Sequence, residues 1–226
     1  TGTQTIVLID GVRVGSATRG LVSLENIPLD RIERIEILRG ASSALYGPDA
    51  IGGVIQIFTR QPTDQLNLTA SIGAGTDGQQ QANASIRGSA GAIGYSVGVS
   101  HEKASGISTN INPASSFYNP DTDSFKTTSF DARLNAKINQ QHAVSLSLLQ
   151  SQSEYQFDGT PSPNPLGLSK LSSDARSKPQ LNHTTLSWEA QWLDQWKSTL
   201  TLGASDDVSI SDYYRISDGA FGGTSK

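Results

Sequence analysis

Beyond Pro62 the chain falls into a two-residue rhythm of apolar and polar positions. It is clearest in Leu66 to Thr76, Gln80 to Gly88, Gly94 to Glu102, Thr127 to Ile138, Ala143 to Tyr155, Asn182 to Leu193 and Lys197 to Tyr213. In the fourth stretch Phe130, Leu134, Ala136 and Ile138 share one face, and Asp131, Arg133, Asn135 and Lys137 share the other. Leu186, Trp188, Ala190 and Trp192 likewise oppose Ser187, Glu189 and Gln191. A period of two with one apolar and one charged face predicts antiparallel strands standing between an apolar medium and water. Most of the seven stretches reach the ~9–11 residues that a tilted strand needs to cross a bilayer.

The connections carry a second signal. Gly91-Ala92-Ile93, Gln140-Gln141-His142 and Asp194-Gln195-Trp196 are short, whereas Ala104 to Lys126 and Asp158 to Leu181 are long and rich in Pro, Asn and Ser. After an opening hairpin at Thr76 to Gln79, short and long links alternate, which is the asymmetry of periplasmic turns and extracellular loops in membrane barrels. Trp192 and Trp196 flank one short turn, where an aromatic girdle would sit.

Residues 1–62 read differently. Thr5 to Ile9 is a β-branched run ended by the turn pair Asp10-Gly11, and Pro28 to Ile32 is one helical turn opened by proline. Glu33 to Leu38 alternates charge with Ile or Leu and predicts a half-buried strand. Ala41 to Tyr46 predicts a short helix stopped by Gly47-Pro48; Gly52-Gly53 then permits close approach or positive φ before a strand over Val54 to Phe58. The fold class is therefore mainly β: a small α+β unit at 1–62, then antiparallel strands at 63–226.

Composition removes several function classes. A net charge of -4 and a pI near 5.3 argue against nucleic acid, whose phosphates reward a basic stripe. There is no cysteine, and His101, His142 and His183 are scattered, which disfavours thiol chemistry and a clustered His/Cys metal site. No apolar run approaches the ~20 residues of a membrane helix, but barrel strands average out as polar, so the mean hydropathy of -0.32 is compatible with one. No local nucleophile motif is present, and Glu33 and Glu36 lie in a predicted strand, so catalysis is not expected. The glycines from Gly47 to Gly53 match neither phosphate-binding spacing. Through Pro62 every basic residue is Arg, matched by Asp10, Glu25, Asp30, Glu33, Glu36 and Asp49, a set suited to buried pairing inside a polar lumen.

Ile9-Asp10-Gly11-Val12-Arg13, the run from Ile27-Pro28-Leu29-Asp30-Arg31 to Ile37-Leu38-Arg39-Gly40, Tyr46-Gly47, and Ala50-Ile51-Gly52-Gly53-Val54-Ile55 resemble the second half of the plug of TonB-dependent outer-membrane receptors. The resemblance is strongest to those that take up vitamin B12 (cobalamin). It implies a 22-stranded transmembrane barrel in a Gram-negative outer membrane, of which about seven strands fall in this sequence, and a TonB-contacting segment outside it. It implies uptake of cobalamin or, alternatively, of a ferric siderophore or other metal chelate; a structural or adhesive barrel would leave the plug signature unexplained. Implied ligand contacts lie on the apical segment at Ser16, Ala17, Thr18, Arg19, Leu21 and Ser23. Asp121-Thr122-Asp123-Ser124-Phe125 resembles the acidic run that helps bind calcium in cobalamin transporters, and Asp158 would add a carboxylate from the next long loop. The sequence departs from that pattern near Gly106-Ile107-Ser108, where a further aspartate would be expected.

Overall fold

A computed structural model describes residues 5–15, 22, 24–40, 43–108, 120–159, 173–215 and 221–225. Two sheets divide the chain. The first has four strands in the order β2-β1-β4-β3, formed by β1 (Thr5–Ile9), β2 (Val12–Val14), β3 (Ile32–Arg39) and β4 (Gly53–Thr59). The second is an antiparallel meander of eight: β5 (Asn67–Ala74), β6 (Gln80–Ala90), β7 (Ile93–Ala104), β8 (Phe125–Lys137), β9 (His142–Gly159), β10 (Ser173–Leu193), β11 (Trp196–Arg215) and β12 (Phe221–Ser225).

In the small sheet Asp10 (φ 48) and Gly11 (φ 84) make the tight turn between β1 and β2, since two successive positive φ values match the twist of the flanking strands. Strand β1 runs parallel to β4 and is apolar from Ile6 to Ile9, where both its faces are covered. Ile6 and Leu8 pack with Ala50 and Val54 on one side. Val7 and Ile9 pack on the other with Val14, Ile27 and Ile57, and with Leu149 and Leu181 of the large sheet. Helix α1 (Ser43–Tyr46) falls within the predicted Ala41 to Tyr46 helix, whose first two residues lie outside the described residues. Strand β3 is a correction to the expected half-buried strand: it lies at the sheet edge, and Ile35, Ile37 and Leu38 are all exposed.

The large sheet forms a curved wall around the small one. On β8 Ser129, Asp131 and Arg133 face inward and are buried, while Phe130 and Leu134 face outward and are exposed. The last apolar outward position before polar residues begin is Ile72 on β5, Val99 and Phe130 on β7 and β8, and Leu148 on β9. In register this border steps down twice, from the Ile72–Ala82 pair to the Val99–Phe130 pair and then to the level of Ala132–Leu148. An apolar band oblique to the strand ladder is what strands tilted to a membrane normal require. At its lower margin the rings of His142 and Trp188 stack at 5.8 Å, and Trp192 and Trp196 continue the outward aromatic row at successive spacings of 5.9 and 6.5 Å.

Two strand assignments differ from the sequence reading. Strand β10 begins at Ser173, nine positions before Asn182, because Pro179 interrupts the apparent pattern. Its pairing with β9 lapses at Lys178 and Pro179 while pairing with β11 continues, which lets a residue without an amide proton sit inside the strand. Past the last predicted strand the tail contains an eighth, β12, paired with β11 through Ser211 to Tyr214; its five residues Phe-Gly-Gly-Thr-Ser carry no visible alternation.

Candidate functional site

The small sheet is fixed to the wall by charge pairs of opposite sense on one strand. Arg133 of β8 reaches in to Asp10 and also donates to Thr59 Oγ1 at 2.9 Å and Gln61 Oε1 at 3.1 Å. Asp10 further accepts from the Thr59 amide at 3.1 Å, Thr59 Oγ1 at 2.7 Å and Ser147 Oγ at 3.2 Å. Two residues along, Asp131 takes Arg31 from the small unit at 3.1 Å, and Arg31 also meets Asp30 at 2.9 Å and the Val99 carbonyl at 2.7 Å. Buried ions survive only with such paired and hydrogen-bonded geometry.

Glycines in the wall supply the recesses. A Cβ on Gly98 would stand 1.7 Å from Arg31 Nη1, and one on Gly203 would stand 2.3 Å from Val12 Cγ2. The Arg-for-carboxylate balance in the first 62 residues was legible in the sequence, but the partners were not. Arg13–Asp49 and Arg34–Glu36 pair within the small unit at 2.7 Å and are exposed, whereas the fixing pairs draw one member from β8.

Between the turn at Leu24 to Asp30 and the inner wall lies a cavity of about 760 Å³. Glu25, Asp30, Glu102, Asn83, Thr127 and Tyr155 give it a hydrogen-bonding lining.

The expected ligand contacts Ser16, Ala17, Thr18, Arg19, Leu21 and Ser23 lie outside the described residues. The three expected metal ligands are brought together: carboxylate oxygens of Asp121, Asp123 and Asp158 lie within 4.8 Å of one another. Donors on one Ca²⁺ at ~2.3–2.6 Å can be no farther apart than roughly 4.6–5.2 Å, so this spacing fits a shared ion. The backbone explains the convergence. The Asp123 amide bonds to the Ile107 carbonyl at 3.2 Å, and Gln156 ties to Ser124 through its amide at 2.9 Å and its side chain at 2.5 Å. Gly106, at φ +72, passes so close to the Asp123 carbonyl that a Cβ would stand 1.9 Å away. The segment where another aspartate was expected thus packs on the acidic run by its backbone.

A fourth carboxylate was missed. Asp174 pairs in register with Asp158 at the loop end of β10, beyond the apolar band. Burial pushes its carboxyl above the ordinary 3.8; Arg176 opposes this, and the nearby Asp121 and Asp123 carboxylates reinforce it. Its signal was hidden because the sequence reading placed residue 174 in a loop.

Residues 1–54 match the family model described as TonB-dependent Receptor Plug Domain. The vitamin B12 transporter BtuB of Photobacterium profundum is 35% identical over 159 residues, covering 70% of this chain and 26% of that protein. BtuB of Vibrio vulnificus strain YJ016 is 50% identical over 74 residues, covering 33% of this chain and 12% of its own length. The chain therefore spans about a quarter or less of these relatives. Among solved structures, the siderophore receptor PirA of Acinetobacter baumannii superposes with a TM-score of 0.69 at 19% identity, over 99% of this chain and 35% of that one. The ferric enterobactin receptor PfeA of Pseudomonas aeruginosa, in complex with enterobactin, gives 0.70 at 18% identity, over 99% and 37%. At these identities the two structures establish the fold.

Proposed function

Since the chain belongs to the TonB-dependent receptors, a family of outer-membrane β-barrel proteins, we propose that the whole protein imports vitamin B12 or a related corrinoid. The single observation that carries the choice of ligand is the extent of similarity to the vitamin B12 transporter, 159 residues at 35% identity, which continues well past the plug. The work of this chain is binding and positioning. The small unit forms part of a plug held in the lumen by Asp10–Arg133 and Arg31–Asp131. The cavity beside Leu24 to Asp30 leaves space between plug and wall. Apical contacts to the ligand are assigned to Ser16, Ala17, Thr18, Arg19, Leu21 and Ser23. Energy coupling runs through TonB, by a segment of the whole protein outside this sequence.

The spacing of Asp121, Asp123 and Asp158 supports calcium as an accessory ion. When bound, it would neutralise crowded carboxylates and cross-link two long loops at the mouth. Ordering those loops beforehand lowers the entropy cost of closing them on a ligand. The deciding experiment is titration of the full-length receptor with cyanocobalamin and, separately, with ferric enterobactin. Saturable high-affinity binding of cobalamin alone is the expected result; binding of the ferric chelate alone would replace the reading with siderophore uptake.

A further inference from the structure

The outer surface of the wall, away from plug and ligand, carries a basic groove beyond the apolar band, one outward pair (His101–Thr128) past its border. Lys103 of β7 and Lys126 of β8 are directly opposed in register on this face. Like charges placed so are destabilising unless an anion lies between them. Glu154 answers one of them, at 2.8 Å from Lys126. Arg176 completes the set, facing outward from β10 with its side chain 46% exposed, 3.7 Å from Asp174 and with its guanidinium 5.4 Å from the centre of the Tyr214 ring. The groove between them measures about 440 Å³, and Lys103, Lys126 and Arg176 against Glu154 give it a net charge of +2.

Two residues further along the same strands the surface changes to a trough. Outward from Gln80 come Ala82 and Ala84, and beside them Ala70. These alanines floor two contiguous apolar depressions of about 420 and 540 Å³, which share Ala70, Ala84 and Val99. Leu68, Ile72, Val99 and Phe130 rise on the sides, and all four are exposed. Neighbouring outward positions elsewhere carry large side chains, as in Leu146, Leu186 and Leu202. A cationic groove whose Gln80 and Lys103 are followed two positions along their strands by Ala82 and His101 of an apolar trough, at the border of a membrane band, suits an occupant with an anionic head and an apolar tail.

We propose that this face binds a phosphorylated acyl lipid of the outer leaflet, with its phosphate between Lys103, Lys126 and Arg176 and one acyl chain along the Ala70, Ala82, Ala84 trough. Lys side chains supply compact mobile charge and Arg a planar fork, a combination that suits a phosphate at a membrane surface. The trough adds apolar burial that a soluble anion lacks. The site stands apart from the receptor's own ligand and does not depend on which ligand that is.

The test uses full-length receptor in detergent, with lipid A, a bisphosphorylated acylated disaccharide, as probe and native mass spectrometry as readout. Folding of each variant is checked by its heat-modifiable electrophoretic shift. Lipid A is expected to bind, and the K103Q/K126Q/R176Q variant to hold it at least tenfold more weakly. Phosphatase-treated lipid A should also lose at least tenfold. A second variant, A82F/A84F, fills the trough while keeping every charge, and it too should lose lipid A. Equal retention by wild type and the charge variant would overturn the proposal, as would equal binding of the dephosphorylated lipid. Inorganic phosphate competing as well as lipid A, with A82F/A84F unaffected, would reduce the site to an anion site and overturn the lipid assignment.

Discussion

Replacing Arg133 with methionine tests whether charge, and not shape alone, seats the plug. The side chains of Arg133 and Asp10 are 10% and 7% exposed, so solvent screens the pair little. Removing one member of a buried pair costs about 3–5 kcal/mol, because the other ion stays buried. Asp10 would keep its bonds from the Thr59 amide, Thr59 Oγ1 and Ser147 Oγ, which places the expected loss near ~3 kcal/mol, at the lower end of that range. With a urea slope of about 1.5–2 kcal/mol per molar for a unit of plug size, the plug transition should move down by roughly 1.5–2 M. The tryptophans of this sequence, Trp188, Trp192 and Trp196, all belong to the wall, so their emission does not follow the plug. A fluorophore on a cysteine introduced at Leu45 reads the plug, and the tryptophans serve as the control for the barrel. Adding D10N should restore part of the loss by removing the stranded charge. An unchanged plug midpoint in R133M, or additive losses in the double variant, would refute the reasoning.

Gly53→Val should destabilise the plug by about 3 kcal/mol or more, because φ is +140 and a Cβ would stand 2.4 Å from the Leu38 carbonyl oxygen inside the β3–β4 ladder. Gly52→Val, at an exposed position without positive φ, should cost far less; equal urea midpoints for the two would count against this. Gly98→Leu removes the recess for Arg31 and should raise the rate of proteolytic cleavage in the plug at least tenfold while the barrel stays folded, checked by mapping the cleavage sites. D121N/D123N should abolish the calcium dependence of ligand affinity, measured with calcium and with chelator. Equal affinity in both conditions for the unmutated receptor would leave these groups as loop carboxylates.

Acid should act on the same site through Asp174. Its carboxyl is raised above 3.8, so the ionised form disfavours the cation-free fold. That penalty is present at neutral pH and is relieved as pH falls through the raised value toward 3.8. A cation held by the neighbouring carboxylates would favour the ionised form of Asp174, so calcium affinity should begin to fall at a pH above the ordinary aspartate range. Calcium titrations across pH 4 to 7 that match in wild type and D174N would dismiss this role.

The large sheet was legible because its inward and outward faces meet different media, and a period of two survives wherever they do. It failed where that contrast was missing. Pro179 masked the start of β10, and the five residues of β12 have no side-chain contrast to read. Strand β3 showed alternation without burial, since both faces of an edge strand lie open here. In the site, the acidic run at Asp121 and Asp123 was visible from local spacing. Asp174 and the Asp10–Arg133 pairing depend on contacts across 53 and 123 positions, for which local pattern carries no signal. The outer basic groove was equally hidden, because its cations come one each from three strands.

The sharing of Leu149 and Leu181 with the core of the small sheet bears on how the small unit leaves the lumen. Val7 and Ile9 pack within the small unit on Val14, Ile27 and Ile57, and Leu149 and Leu181 of β9 and β10 complete the same cluster from the wall. Any later withdrawal of that unit from the lumen must re-expose the same apolar face, which sets a resisting force at the wall independent of the charge pairs. Edge strand β3 gives up little apolar burial on leaving, whereas β1, paired on both sides and buried from Ile6 to Ile9, gives up the most.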